Sequence, residues 1–225
     1  MALVFFGCFL FVYRFGLTAI WVYDTRDWWF GFYRNILFWN SFLAWVPYAA
    51  AFVMLLISKF SKSKTSLIAL FPLGVLWLIF LPNSPYMITG YLHLIRIGIH
   101  DGFEFQPWYD FVMLSVFFLS GLLAGIASLK IVHSIVEKHF GIMIGWASVV
   151  VVNFLCGWAV YLGRFIRLNT WYLRDPRVLL PHIRLSNDRV LFIGALSVFL
   201  ILMYVVMYVF DNSRHSVQSY EVKNL

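Results

Sequence analysis

Apolar residues run through this chain in long unbroken blocks, without the alternation that half-buried strands require. Six blocks, over residues 2–23, 36–57, 67–88, 109–132, 140–163 and 190–210, each come close to the roughly 20 residues a helix needs to cross the hydrocarbon core. Barrel strands would alternate, so the pattern predicts an all-α fold: a polytopic integral membrane helix bundle of about six transmembrane helices. It forms a single transmembrane helical domain over residues 1–210, followed by a polar, mobile tail over 211–225.

Composition agrees. The chain is 62% hydrophobic and 12% charged, whereas an ordinary soluble domain carries about 25% charged residues. The net charge of +7 does not point to nucleic acid, because the basic residues are dispersed at block boundaries and no nucleotide-binding loop is present. Cys8 and Cys156 sit inside apolar blocks without paired spacing and read as small buried hydrophobes. No basic residue precedes the first block, Arg14 interrupts it and no small-x-small cleavage site follows, so it reads as a retained span. Arg14 there must face the bundle or snorkel.

The loops carry the orientation signal. DTRDWWFGFYRN, residues 24–35, is aromatic enough for an interfacial belt. Lys59, Lys62 and Lys64 in the second loop, and Lys130 and Lys138 in the fourth, mark short basic loops. Arginines on the opposite side, Arg26, Arg34 and Arg96 among them, are more numerous, but most lie in one segment from 164 to 189. Short loops are the better guide, so both termini are expected to be cytoplasmic.

Polar features gather at the other face. The third block starts near Pro72 and ends in LPNSPY, where Pro82 and Pro85 predict a helix break near Leu81; a simple stop at the interface is the alternative to a polar cavity lined by Asn83 and Tyr86. His93, His100 and Glu104 follow, but Gly98 and Gly102 oppose a long helix and no ligand spacing suggests a metal site. Trp108, Tyr109 and Asp110 open the fourth span, with Asp110 expected in its first turn. Gly121, Gly125 and Ser128, and then Gly141 and Gly145, are small-residue stripes suited to close packing within the bundle. Ser186, Asn187 and Asp188 suit the start of the last helix.

The stretch 157–171, GWAVYLGRFIRLNTW, brings an apolar helix directly into two arginines and an asparagine. Arg164 and Arg167 share a helical face, with Trp171 one turn further on, and form a fork for an anionic group. Snorkelling anchors at the membrane boundary are the other reading.

LPNSPYMIT, HL, WYD and YLGRFIRLNTW, in that order, resemble the uncharacterised bacterial membrane-protein family catalogued as domain of unknown function 1361, over roughly residues 67–176. The matched positions are Pro82, Asn83, Pro85, Tyr86, Thr89, His93, Trp108, Tyr109, Asp110, Gly163, Arg164, Arg167, Asn169 and Trp171. The resemblance implies a bacterial inner-membrane protein and supplies no activity. Where the family pattern has an acid after the threonine and another after the tryptophan, this chain has Gly90 and Tyr172.

Together these residues suggest that the protein binds or processes an anionic amphiphile, a phospholipid or polyprenyl-phosphate-linked intermediate, at the outer boundary of the membrane. The expected ligand-binding residues are Asn83, Tyr86, Trp108, Arg164, Arg167, Asn169 and Trp171, with His93 or Asp110 as candidate acid or base. No nucleophile and no cofactor can be named, so enzyme and carrier both stay open. A polar network such as an Arg164–Asp110 ion pair is the structural alternative. Two other function classes remain: a small-molecule secondary transporter, favoured by the broken third span and Arg14, and an accessory subunit bound to a membrane-protein partner.

Overall fold

In the computed structural model every described element is helical, and no strand occurs among the described residues. The structure describes residues 3, 7, 8, 35–60, 65–92, 105–166 and 186–223, the side chains of 35, 36, 65–67, 69, 105–110 and 214–223 excepted. A π-helical turn, Asn35–Trp39, leads into α1 (Asn40–Phe60). Next comes α2 (Thr65–Phe80), then the one-turn helix Asn83–Tyr86 and a 3-10 turn, Met87–Tyr91. α3 (Phe105–Phe140), α4 (Ile142–Tyr161) with a π-helical turn at Leu162–Ile166, and α5 (Asn187–Lys223) complete the order.

Five stretches are long and apolar enough to cross a membrane: Leu37–Phe60, Leu70–Tyr91, Phe111–Phe140, Ile142–Ile166 and Asn187–Ser213. The chain is an all-α, multi-pass membrane protein. α3 is the most enclosed of these, with 72% of its apolar window buried against 33% or less in the others. Most of the first predicted span, with Arg14, lies outside the described residues.

Three expectations need correction. The predicted fourth loop, holding Lys130, Glu137 and Lys138, is helix, because α3 runs 36 residues without a break. Charge does not end a helix; Gly141 does, at φ +89 and ψ 165, a backbone conformation open essentially to glycine that lets the chain reverse directly into α4. The predicted tail is helical through Lys223, so α5 is about 55 Å long, well beyond the roughly 30 Å hydrocarbon core. Asp110 falls in the second turn of α3, since the helix starts at Phe105 and its first turn holds no acid. Pro107 is tolerated in that first turn because its missing N–H has no helical partner there. The start of α5 is as expected: the backbone carbonyl of Ser186 accepts from the N–H groups of Arg189 and Val190, and Asp188 sits in the first turn.

Packing divides the chain into two compact units. The first, Met1–Ala50 with Val75–Gly125, is built on Leu37, Ala44, Met87, Met113, Leu114, Phe117 and Phe118, with Cys8 and Tyr91 packed against them. Here the LPNSPYMIT motif finds a physical account. The helix breaks at Leu81–Pro82, as the prolines predict, but restarts at once. Three polar side chains of the restart each satisfy a carbonyl: Asn83 Nδ2 donates to Phe80 O at 2.9 Å, Ser84 Oγ to Ala44 O at 2.9 Å and Thr89 Oγ1 to Tyr86 O at 2.7 Å. Such bonds make irregular backbone tolerable at membrane depth. Gly121 and Gly125 serve that contact, since a methyl there would stand 2.9 Å from Met87 Cγ and 2.5 Å from Ser84 Cβ.

The second unit, Ala51–Gly74 with Ile126–Leu225, contains the end of α3, all of α4 and all of α5. Its α4–α5 seam closes where Gly157 meets Ile193 and Ser197, and Gly145 lies against His133 of α3.

Candidate functional site

At its end α4 gives way to the π-helical turn Leu162–Ile166, which carries Gly163 and Arg164 of the GRFIR motif. A π turn widens the helix locally and re-aims its side chains. Beside it opens a cavity of about 510 Å³ between this turn and the start of α5. Its walls are Tyr161, Phe165, Ile166 and Phe192. Tyr161 stacks on Phe165 at 5.4 Å, and Phe165 meets Phe192 edge-on at 5.0 Å. The spacing explains the cluster: Tyr161 and Phe165 are four apart on one face, and Phe192 enters from α5.

The cavity's rim is polar, formed by Ser186, Asp188 and Arg189. The Arg189 guanidinium lies over the Tyr161 ring, 5.9 Å from its centroid, which holds its charge at the cavity edge. Tyr161 is buried while Phe165 is exposed, so the cavity is anchored deep and open laterally. Apolar walls with a few convergent polar groups are the usual make-up of a small-ligand site.

Of the residues expected from the sequence, Arg164 is half-buried on the π turn, next to the wall residue Phe165. Asn83 and half-buried Tyr86 belong to the first unit and Arg164 to the second. His93, Arg167, Asn169 and Trp171 lie outside the described residues; Trp108 and Asp110 are in α3, and their side chains lie outside them as well. Among the described residues no cluster of histidine, cysteine or acidic side chains could hold a metal ion.

Sequence reasoning missed Tyr161, Phe165, Arg189 and Phe192. The available signals were the i, i+4 aromatic pair and the i, i+3 pairing of Arg189 with Phe192 just inside a helix start. Both are common in membrane spans and became informative only when α4 and α5 were seen side by side.

A family model described as Protein of unknown function (DUF1361) matches residues 39–210, which includes the π turn and the whole cavity. No curated protein and no solved structure matches the chain.

Proposed function

This chain belongs to the family of domain of unknown function 1361, and from that premise we propose that it binds an anionic amphiphile at the membrane boundary. The single observation that carries the reading is the aromatic cavity with a polar rim at the junction of α4 and α5. Its lateral opening between Phe165 and Phe192 suits an acyl or isoprenyl chain, and Arg189 with Ser186 suits an anionic head group. Asp188 offsets the charge of Arg189 within the rim. The excess positive charge comes from Arg164 on the adjoining turn, with Arg167 three residues further along the sequence. A phospholipid and a polyprenyl-phosphate-linked intermediate share this chemistry.

In this reading the membrane is a bacterial inner membrane, both termini are cytoplasmic and the cavity faces outward. Single-cysteine labelling at Ser63 and Asn187, with Cys8 and Cys156 replaced, tests the orientation: an impermeant reagent should reach Asn187→Cys alone, and outside labelling of Ser63→Cys reverses it.

Ligand binding is tested by mass spectrometry of lipids copurifying with gently extracted protein. Each charge-assisted contact contributes about 1.5–3 kcal/mol, so Arg164→Ala with Arg167→Ala should lower retention of one specific anionic lipid at least tenfold, to about the level of the bulk lipids. Equal retention by wild type and a monodisperse double variant sinks the proposal. Whether the retained species is a phospholipid or a lipid-linked intermediate is read directly from its mass.

A further inference from the structure

A second polar centre lies in the same unit, away from the cavity and built on α3 near the Gly141 turn. His133 is almost fully buried, at 1% exposure. Its Nδ1 shares a hydrogen bond with the equally buried Tyr204 hydroxyl of α5, at 2.5 Å. Its Nε2 is buried and has no hydrogen-bond partner, and the carboxylate of Glu137, one turn later on α3, stands 3.9 Å away. An orphaned ring nitrogen inside a helix bundle costs about 1–3 kcal/mol, so it calls for an explanation.

Only a glycine fits beside that nitrogen on α4. Gly145 of α4 faces it, and a methyl at Gly145 would stand 2.9 Å from Nε2. Trp146 packs edge-on against the ring at 5.1 Å, and Tyr208 lies 5.9 Å from it, so the remaining sides are aromatic. The charged groups around it are few among the described residues. Lys130, one turn earlier on α3, is ion-paired with Asp211 of α5. Among the described residues Glu137 is therefore the nearby charge left to act on the ring, and at 34% side-chain exposure it also reaches the surface.

We propose that His133 is a proton-binding site loaded through Glu137. A neutral imidazole carries one N–H and one lone pair; uptake of a second proton makes both nitrogens donors. Each then has an acceptor. Nδ1–H donates to the Tyr204 oxygen, which accepts as readily as it donates, and Nε2–H donates to the Glu137 carboxylate after a small side-chain rotation. The proton arrives on Glu137 from water and passes to the ring, leaving the carboxylate ionised and the imidazole cationic, so charge and protons balance. Ionisable groups inside a membrane bundle that mark proton paths show this combination of burial, pairing and one exposed end. The proposal stands apart from ligand binding at the cavity and survives if that fails.

The test uses the full chain in lipid nanodiscs with ¹⁵N-labelled histidine, and His133→Gln to assign the His133 signals by difference. Between about pH 8.5 and pH 4.5, a window that brackets ordinary imidazole titration and extends well below it, His133 should pass from one protonated nitrogen to two. Glu137→Gln keeps the size and removes the charge, and should lower the doubly protonated fraction at about pH 5.5 at least twofold. Tyr204→Phe should abolish the hydrogen-bond signature at Nδ1. A His133 that keeps one tautomer unchanged over the whole window overturns the proposal, as does uptake that is identical in wild type and Glu137→Gln. Either result makes His133–Tyr204 a fixed structural bond. The decision rests on Glu137→Gln, because its partly exposed side chain is the one least coupled to folding.

Discussion

Replacing Gly157 by alanine tests the seam that positions the cavity. In the middle of a helix the change by itself favours the folded state by about 1 kcal/mol, since alanine is the better helix former. Opposing this, the new methyl would stand 2.5 Å from Ser197 Oγ and 2.9 Å from the backbone oxygen of Ile193. Those two atoms are not independent. Ser197 Oγ donates to Ile193 O at 2.7 Å, so turning the hydroxyl away gives up a buried bond worth about 1 kcal/mol. The carbonyl belongs to the α5 backbone, so the helix itself must also move, and overpacking of this kind costs about 1–3 kcal/mol.

The balance is a net loss of about 1–3 kcal/mol. For a chain of this size that lowers Tm by about 2–12 °C. Gly194→Ala is the control, because nothing lies within 4 Å of a methyl at that position on α5. It should raise Tm by a few degrees, about the propensity gain alone. Thermal unfolding in detergent, followed by tryptophan fluorescence, measures both. Opposite signs are expected. If both variants are stabilised equally, the helices do not approach closely at Gly157, and the geometry of the cavity loses its support.

Three further outcomes are expected. Gly141→Ala should lose about 1–3 kcal/mol purely through the backbone, since a methyl there meets nothing but φ +89 with ψ 165 is open essentially to glycine alone, and Gly141→Asn should lose a similar amount. Ser84→Ala removes a fully buried donor from Ala44 O and should lower stability by about 0.5–1.5 kcal/mol in the same unfolding assay. Phe165→Ala, at a position 58% exposed, should change Tm little yet reduce copurifying lipid several-fold; unchanged lipid means that this wall takes no part in binding.

Much of the fold was legible because a membrane helix announces itself by block length and apolar content alone. The ends of the helices were less so. Residues 133–139 read as a loop because they carry charge, but a helix leaving the membrane keeps its backbone bonds and simply changes the solvent around its side chains. Gly141 ended α3, and glycine is so frequent in membrane spans that its φ cannot be read from the sequence. LPNSPY gave the position of the break correctly, while the immediate restart depended on Ser84 finding Ala44, forty residues earlier in the chain. His133 passed unnoticed for a similar reason. Its partners on α3 are near in sequence, but Tyr204 and Gly145 come from other helices, and a lone histidine near a helix end looks like a surface residue.

The two centres of the second unit lie at opposite ends of one helix pair, and this separation has a consequence. Trp146, packed on His133, stands near the start of α4, and Tyr161, in the cavity wall, at its end, so the axis between them is about 22 Å long. α5 runs back the same way, with Phe192 at the cavity and Tyr204 on His133. Gly157 sits one turn before Tyr161 but about 16 Å from Trp146. A wedge at Gly157 therefore acts on the cavity first. Gly157→Ala should reduce lipid retention while the His133 Nδ1 signal stays as in the wild type. Loss of both together would mean that α5 shifts as a rigid rod and that the cavity and the imidazole are mechanically linked. Loss of the His133 signal alone contradicts the placement of Gly157 at the cavity end of the seam.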